Sequence, residues 1–188
     1  MYKRQEKNIW SGAAATSGQF DGLAVLLAAD AALPAAQEIA AVAGGVNAAN
    51  VIAEMGKVVD QIPSAVYGKE DLRLYVSSNI GRSYTRSLGG FAANGLGGAG
   101  YEDRGTNQVL GGLFFDGVQV VVSKGMADNT MIAAEKSNLF FGTGLLSDQN
   151  EVRVIDMGDT DGSQNIRVIM RFTAGVQYAQ VTDIVLYA

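Results

Sequence analysis

The sequence predicts an α+β fold, with amphipathic helices in its first half and short antiparallel strands in its second. Three observations carry that reading. Apolar residues recur at helical spacing from Val51 to Ile62. Leu72, Leu74 and Val76 alternate with Arg73 and Tyr75, the period of a strand. Beyond residue 112, apolar runs flank an Asp116-Gly117 pair. Helices first and hairpins later, with no internal repeat, give segregated α and β elements. The 188 residues suffice for one domain, or for two small lobes sharing a core.

Taken in order, residues 8–18 are small and polar, with Trp10 as the sole large anchor. Leu23, Leu26 and Leu27 among alanines predict a short helix within residues 21–30. Pro34 opens a second Ala-rich stretch, expected to be helical until Gly44-Gly45 stops it. Val51, Met55, Val58, Val59 and Ile62 then form one face of an amphipathic helix. Asn47 or Asn50 is placed to cap it and Pro63 to end it. The strand at residues 72–76 runs into Ser77, a cap for a helix whose Ile80, Tyr84 and Leu88 share a face up to Gly89-Gly90.

Residues 92–112, rich in Gly and Asn, read as a long surface loop. Asp-Gly then closes a hairpin of residues 113–115 with 118–122, because both turn positions need positive φ. Further strands are expected at residues 130–134, 138–141, 151–156, 165–173 and 181–187, with residues 158–162 (GDTDG) turning between two of them.

The chain contains no cysteine and no histidine. That excludes disulfide frameworks, thiolate or imidazole zinc sites, Cys nucleophiles and His-based triads. Its net charge of -5 argues against a main task of gripping phosphate backbones. No apolar run reaches the roughly 18 residues of a membrane span, and no membrane partner is expected.

Three motifs invite a chemical reading. Gly95-Leu96-Gly97-Gly98-Ala99-Gly100 fits G-x-G-x-x-G, but no strand precedes it and no apolar helix follows. A flexible loop explains it better than a dinucleotide site. Asp156, Asp159 and Asp161 before Gly162 suggest a calcium loop, yet that register puts Met157 and Val168 at ligand positions. A solvated turn is the better reading. Arg73, Tyr75, Arg82, Tyr84 and Arg86 interleave basic and aromatic side chains as single-stranded nucleic-acid binders do. Tyr84, however, already belongs to an apolar helix face, and a solvated face is favoured. No catalytic, cofactor-binding or metal-binding residue is assigned, no cofactor is expected, and the chain is not expected to be an enzyme.

The run LFFDGVQVVV, then DNTMIAAEKSNLFFGTGLLSDQNEVRVIDM, then GSQNIRVIMRFTAGVQYAQVTDIVLYA is similar to the carboxy-terminal part of tailed-phage (Caudoviricetes) major capsid proteins with the Hong Kong 97-like fold. Upstream, NVIAEMGKVVDQIPSAVYGKEDLRLYVSSNIGRSY resembles the helix, strand, helix passage of the family's axial domain. The resemblance implies an A-domain-like core over residues 46–146. It places a linker with short helices on the P-domain side at 6–45, and P-domain strands that return to the core at 147–188.

It implies a capsid subunit that self-assembles into an icosahedral shell enclosing phage DNA. Its partners would be copies of itself in hexamers and pentamers, portal and scaffold proteins, and packaged DNA only non-specifically. It would be assembled in the bacterial cytoplasm and reside in the virion. The family's N-arm and E-loop find no counterpart here, so no cross-linking residue is carried over. Residues 1–5 (MYKRQ) resemble the translated end of a sequencing adapter, which would make them an artefact and the gene truncated at its 5′ end. Rival readings are a cargo-enclosing bacterial nanocompartment shell of the same fold, a β-rich tail or adhesin module, and a nucleotide-binding enzyme resting on Gly95 to Gly100 alone.

Overall fold

In the computed structural model, residues 2–16, 19–88, 113–144, 152–158, 162, 164–170 and 174–188 are described. The expected loop at 92–112, with its glycine motif, lies outside them. The helices are α1 (Tyr2–Ser11), α2 (Leu23–Ala29), α3 (Val51–Asp60) and α4 (Ser78–Ser87). The strands are β1 (Glu38–Ile39), β2 (Leu72–Ser77), β3 (Leu113–Phe115), β4 (Val118–Ser123), β5 (Met131–Glu135), β6 (Leu139–Thr143), β7 (Val152–Asp156), β8 (Ile166–Met170), β9 (Ala174–Tyr178) and β10 (Val185–Tyr187). The fold class is α+β, as the sequence predicts.

Six strands form one mixed sheet in the order β1-β10-β5-β2-β4-β3. β1 with β10 and β2 with β4 are parallel, and the other neighbours are antiparallel. Side-chain alternation divides this sheet between two cores. Leu72, Leu74, Val76, Met131, Ala133, Val185 and Tyr187 join α3 and α4 on one face. Ile132, Ala134, Ile184 and Leu186 join Leu23 and Leu27 of α2 on the other. This explains why β5 reads as an unbroken apolar run: a strand covered on both faces gains nothing from polar alternation.

The α3 face is buried as expected, with Val51, Met55 and Val58 fully enclosed. Its cap differs. Asn50 occupies the N-cap but makes no side-chain bond to the helix; its Oδ1 instead accepts from the Asn47 N–H at 2.7 Å. Ser77 likewise precedes α4 in extended conformation while its hydroxyl donates to Asn79 Oδ1 at 2.6 Å. Ile80 and Tyr84 are buried, but Leu88 is 53% exposed, so the shared face ends one turn early. Gly81 lets α4 approach the sheet, since a Cβ there would lie 2.6 Å from Val122 Cγ2.

The Asp116-Gly117 hairpin forms in the expected register, with Phe115 opposite Val118. Asp116 (φ 47) and Gly117 (φ 77) both have positive φ, the primed-turn geometry that matches strand twist. The Tyr84 hydroxyl donates to the Phe114 carbonyl at 2.6 Å. An acceptor on this edge strand is thereby occupied from within the chain.

Three expectations fail. The Ala-rich stretch after Pro34 is not a helix. It runs through turns into β1, where Gln37, just before the strand, and Ile39, within it, accept backbone bonds from Leu186 and Ala188 at 2.8 and 3.1 Å. A ready partner strand overrides the helical propensity of alanine. Residues 8–11, read as part of a polar segment, complete α1. Trp10 of this helix packs on Tyr75 with ring centroids 5.0 Å apart. Finally, the sequence predicts no strand at 174–178, where β9 lies; the strand expected at 165–173 is β8 within the described residues, 171–173 lying outside them.

The last strand is tied to α3 by a buried polar cluster. The Tyr187 hydroxyl donates to Glu54 Oε2 at 2.8 Å and accepts from the Val42 N–H at 3.0 Å, while Lys57 Nζ lies 2.7 Å from Glu54 Oε1. Burial opposes ionisation of Glu54, but the bonds from Lys57 and Tyr187 and the Lys57 charge outweigh it, so its carboxyl titrates below its ordinary value. A depressed folded-state pKa gives stability that is present above the unfolded value, about 4.3, and is lost as pH falls through the folded one. Glu54→Gln is therefore expected to destabilise at pH 7, with the gap to wild type shrinking towards pH 3. Urea midpoints across that range test it, and a constant gap would rule out the ionised carboxylate as the source.

Candidate functional site

The motifs weighed in the sequence do not converge. The glycine motif, Asp159 and Asp161 lie outside the described residues. Asp156 Oδ1 accepts from the Gly158 N–H at 2.8 Å, a turn contact. Among the described residues no group of three or more Asp, Glu, His or Cys could hold a metal ion. The basic and aromatic series divides. Tyr84 is buried against Phe115, while Tyr75 stacks on Trp10 in the second core. Arg73 Nη1 donates to the carbonyls of Glu70 and Leu72 at 2.6 and 2.8 Å, and Arg82 Nε to that of Ser78 at 3.3 Å. Arg73 and Tyr75 share the face of β2 opposite the one on which α4 packs, whereas Arg82, Tyr84 and Arg86 belong to α4, so the five side chains form no common surface.

Two shallow grooves lie on the body. One, of ≈ 400 Å³, runs beside the Asp116-Gly117 turn between Tyr67 and Phe114. The Tyr67 hydroxyl donates to the Asp116 carbonyl at 2.9 Å, which fixes one wall. The second, of ≈ 320 Å³, is lined by Lys7 and Ser11 of α1 and by the turn at residues 124–128, whose Ala127 N–H donates to the Ser11 hydroxyl at 2.8 Å. Neither brings together the groups of a nucleophile, base and oxyanion site.

What the fold does present is an arm. β6 pairs with β9 and, nested inside them in sequence, β7 pairs with β8, both antiparallel. Eight residues separate β6 from β7 but only three separate β8 from β9, so the two pairs keep separate registers. The arm is rooted where Asn138, itself buried, clamps the returning strand. Its Oδ1 accepts from the N–H groups of Ala179 and Gln180 at 3.0 and 2.7 Å, and its Nδ2 donates to the Gln180 carbonyl at 2.8 Å. The Tyr178 hydroxyl adds a bond of 2.6 Å to Asp30 Oδ2, just past α2. Burial and that carboxylate push the Tyr178 phenol up to about 12, and its bond holds Asp30 below the usual carboxylate range.

Beyond this root the strands are open. Phe140 and Phe141 on β6 are 53% and 51% exposed, although neighbours along a strand point to opposite faces. The register of β7 with β8 puts Val154, Ile166 and Val168 on one face, all more than half exposed. Arg153 and Arg167 stand on the other with Ile155 and Ile169. Sequence reasoning located both strands and the GDTDG turn between them, but not the exposure of their faces. The signal for the strands was the β-branched density of residues 152–155 and 166–169 on either side of the GDTDG turn.

No protein-family model matches the sequence, and no curated protein does. Among solved structures, the chain is similar to one from Mycobacterium phage Che8, with a TM-score of 0.53 and 16% sequence identity. The match covers 81% of this chain and 53% of that one, so this chain spans about half the length of the solved chain. At that identity the likeness is one of fold: four-fifths of this chain adopts the α+β fold of a phage protein.

Proposed function

We propose that the protein is a structural subunit of a phage head, a major capsid protein of the Hong Kong 97-like type. The observation that carries this reading is the fold shared with the phage chain over 81% of the present one. The segments quoted above that resemble such capsid proteins support it from the sequence side. The exposed two-stranded arm supports it too. A pair of strands alone is marginal in water, and apolar side chains left open on it call for cover from another surface. Shells are built from such contacts, made by one chain in several slightly different environments. On this reading residues 46–146 contribute the axial part, 147–188 the peripheral strands, and the polypeptide acts through its surfaces, without catalysis.

The test is to express the gene, with its 5′ end restored from the genome, together with its genomic neighbours and inspect the product by electron microscopy. Uniform closed particles are expected, with this sequence found by mass spectrometry in their principal band. A neighbourhood with terminase, portal and protease genes would separate a phage head from a nanocompartment shell. Particles lacking this chain, or no particles, would overturn the assignment.

A further inference from the structure

We propose that β8 pairs edge to edge and antiparallel with β8 of a second copy of this chain, the two-fold axis passing through Val168. The proposal rests on the shell-subunit reading for its purpose, since a shell needs two-fold contacts between its rings. It rests on β8 itself for its geometry.

The ladder between β7 and β8 decides which backbone groups of β8 point outward. The Met157 N–H donates to the Asn165 carbonyl at 3.0 Å, so residues 157 and 165 form a hydrogen-bonded pair. Hydrogen-bonded and non-bonded pairs alternate along an antiparallel ladder. Arg167 and Ile169 therefore turn their N–H and C=O groups towards β7, while Ile166, Val168 and Met170 turn theirs outward. Among the described residues no strand receives them.

A second β8 placed antiparallel, Val168 opposite Val168, sets Ile166 against Met170 and matches every outward donor with an acceptor. About six inter-chain hydrogen bonds result, in a four-stranded sheet. The charges fit the same register. Across one row the side chains run Arg153, Ile169, Arg167 of the second copy and Ile155 of the second copy, so each guanidinium has an isoleucine opposite it. A shift of one residue would place Arg167 against Val168 or Met170 of the apolar face and lose the hydrogen-bond match. The other free edge, β7, ends in the exposed carboxylate of Asp156, whereas β8 has neither acid, lysine nor proline along its length.

The absence of cysteine from the chain makes the contact directly testable. Val168→Cys should cross-link into a dimer under mild oxidation, because Cα atoms of a hydrogen-bonded pair lie about 5.5 Å apart, within disulfide reach. Val25→Cys, exposed on α2, should not. By sedimentation velocity the unmodified chain should dimerise reversibly. Val168→Pro removes an N–H that faces away from β7 and leaves the hairpin its own bonds. It should weaken the dimer at least about tenfold with the far-UV spectrum unchanged, and Ile166→Lys should do the same through its side chain. A chain that stays monomeric at high concentration would overturn the proposal, as would a dimer indifferent to both Val168→Pro and Ile166→Lys. Closed particles that form undiminished with Val168→Pro would refute this contact and leave the shell reading standing. A dimer without particles would do the reverse.

Discussion

Met55→Asp is expected to abolish the folded state at ordinary temperature, or to lower its melting temperature by more than about 10 °C. Met55 lies at the centre of the first core, fully enclosed between α3 and the sheet. Emptying such a site costs about 2–5 kcal/mol through lost transfer energy and cavity alone. An unpaired carboxylate in its place costs several kcal/mol more, whether it stays charged or takes up a proton. Domains of this size hold only about 5–15 kcal/mol in total. Glu54, the neighbouring carboxylate, does not rescue it, since a second acid beside it adds repulsion. The comparison variant is Ile52→Asp, on the same helix but 50% exposed, which should melt within a few degrees of wild type. Circular-dichroism melts of the two decide the matter. Equal behaviour would mean that the face running from Val51 to Val59 is not the buried one.

That face could be read from the sequence because α3 is covered on one side only, and one-sided burial writes its period into the residues. The hairpin at Asp116-Gly117 was equally legible, since only a few residue pairs tolerate two positive φ angles in succession. The stretch after Pro34 was not. Its alanines favour a helix locally, and nothing within it announces that residues 37–41 will pair with a strand 148 positions away, Glu38 opposite Leu186. The strand β9 was hidden for a related reason, as it and β8 pair with different strands at different registers. Glu54 escaped notice because a carboxylate on a helix is normally solvated; only the returning Tyr187 makes it a core residue. Local signals were recovered and long-range ones missed. The open face of the arm is of the second kind, because exposure is a property of the assembled sheet and not of the strand.

Deleting residues 184–188 is expected to unfold the protein. Ile184, Val185, Leu186 and Tyr187 are at most 1% exposed, and they alternate between the two cores. At about 1.5–3 kcal/mol for each large apolar side chain, their burial contributes roughly 6–12 kcal/mol, comparable with the whole stability of a domain. The loss goes beyond area. β10 lies between β1 and β5, so its removal strips β1 of its partner and leaves the Met131–Ala133 side of β5 unpaired. The Glu54 carboxylate then loses its Tyr187 bond, and the segment around Val42 its tether. Tyr187→Phe isolates that last item and should cost about 1–3 kcal/mol, the penalty of a buried acceptor left short of a donor. Because Tyr187 meets Glu54 across 133 positions and Val42 across 145, these contacts close long loops. Long-range closure is entropically dear and tends to follow the local structure. Most of the Tyr187→Phe effect should therefore appear as faster unfolding, with refolding little changed. Stopped-flow chevrons measure both limbs. A chain without residues 184–188 that still melts cooperatively near the wild-type temperature would show that the two cores stand without the strand between them.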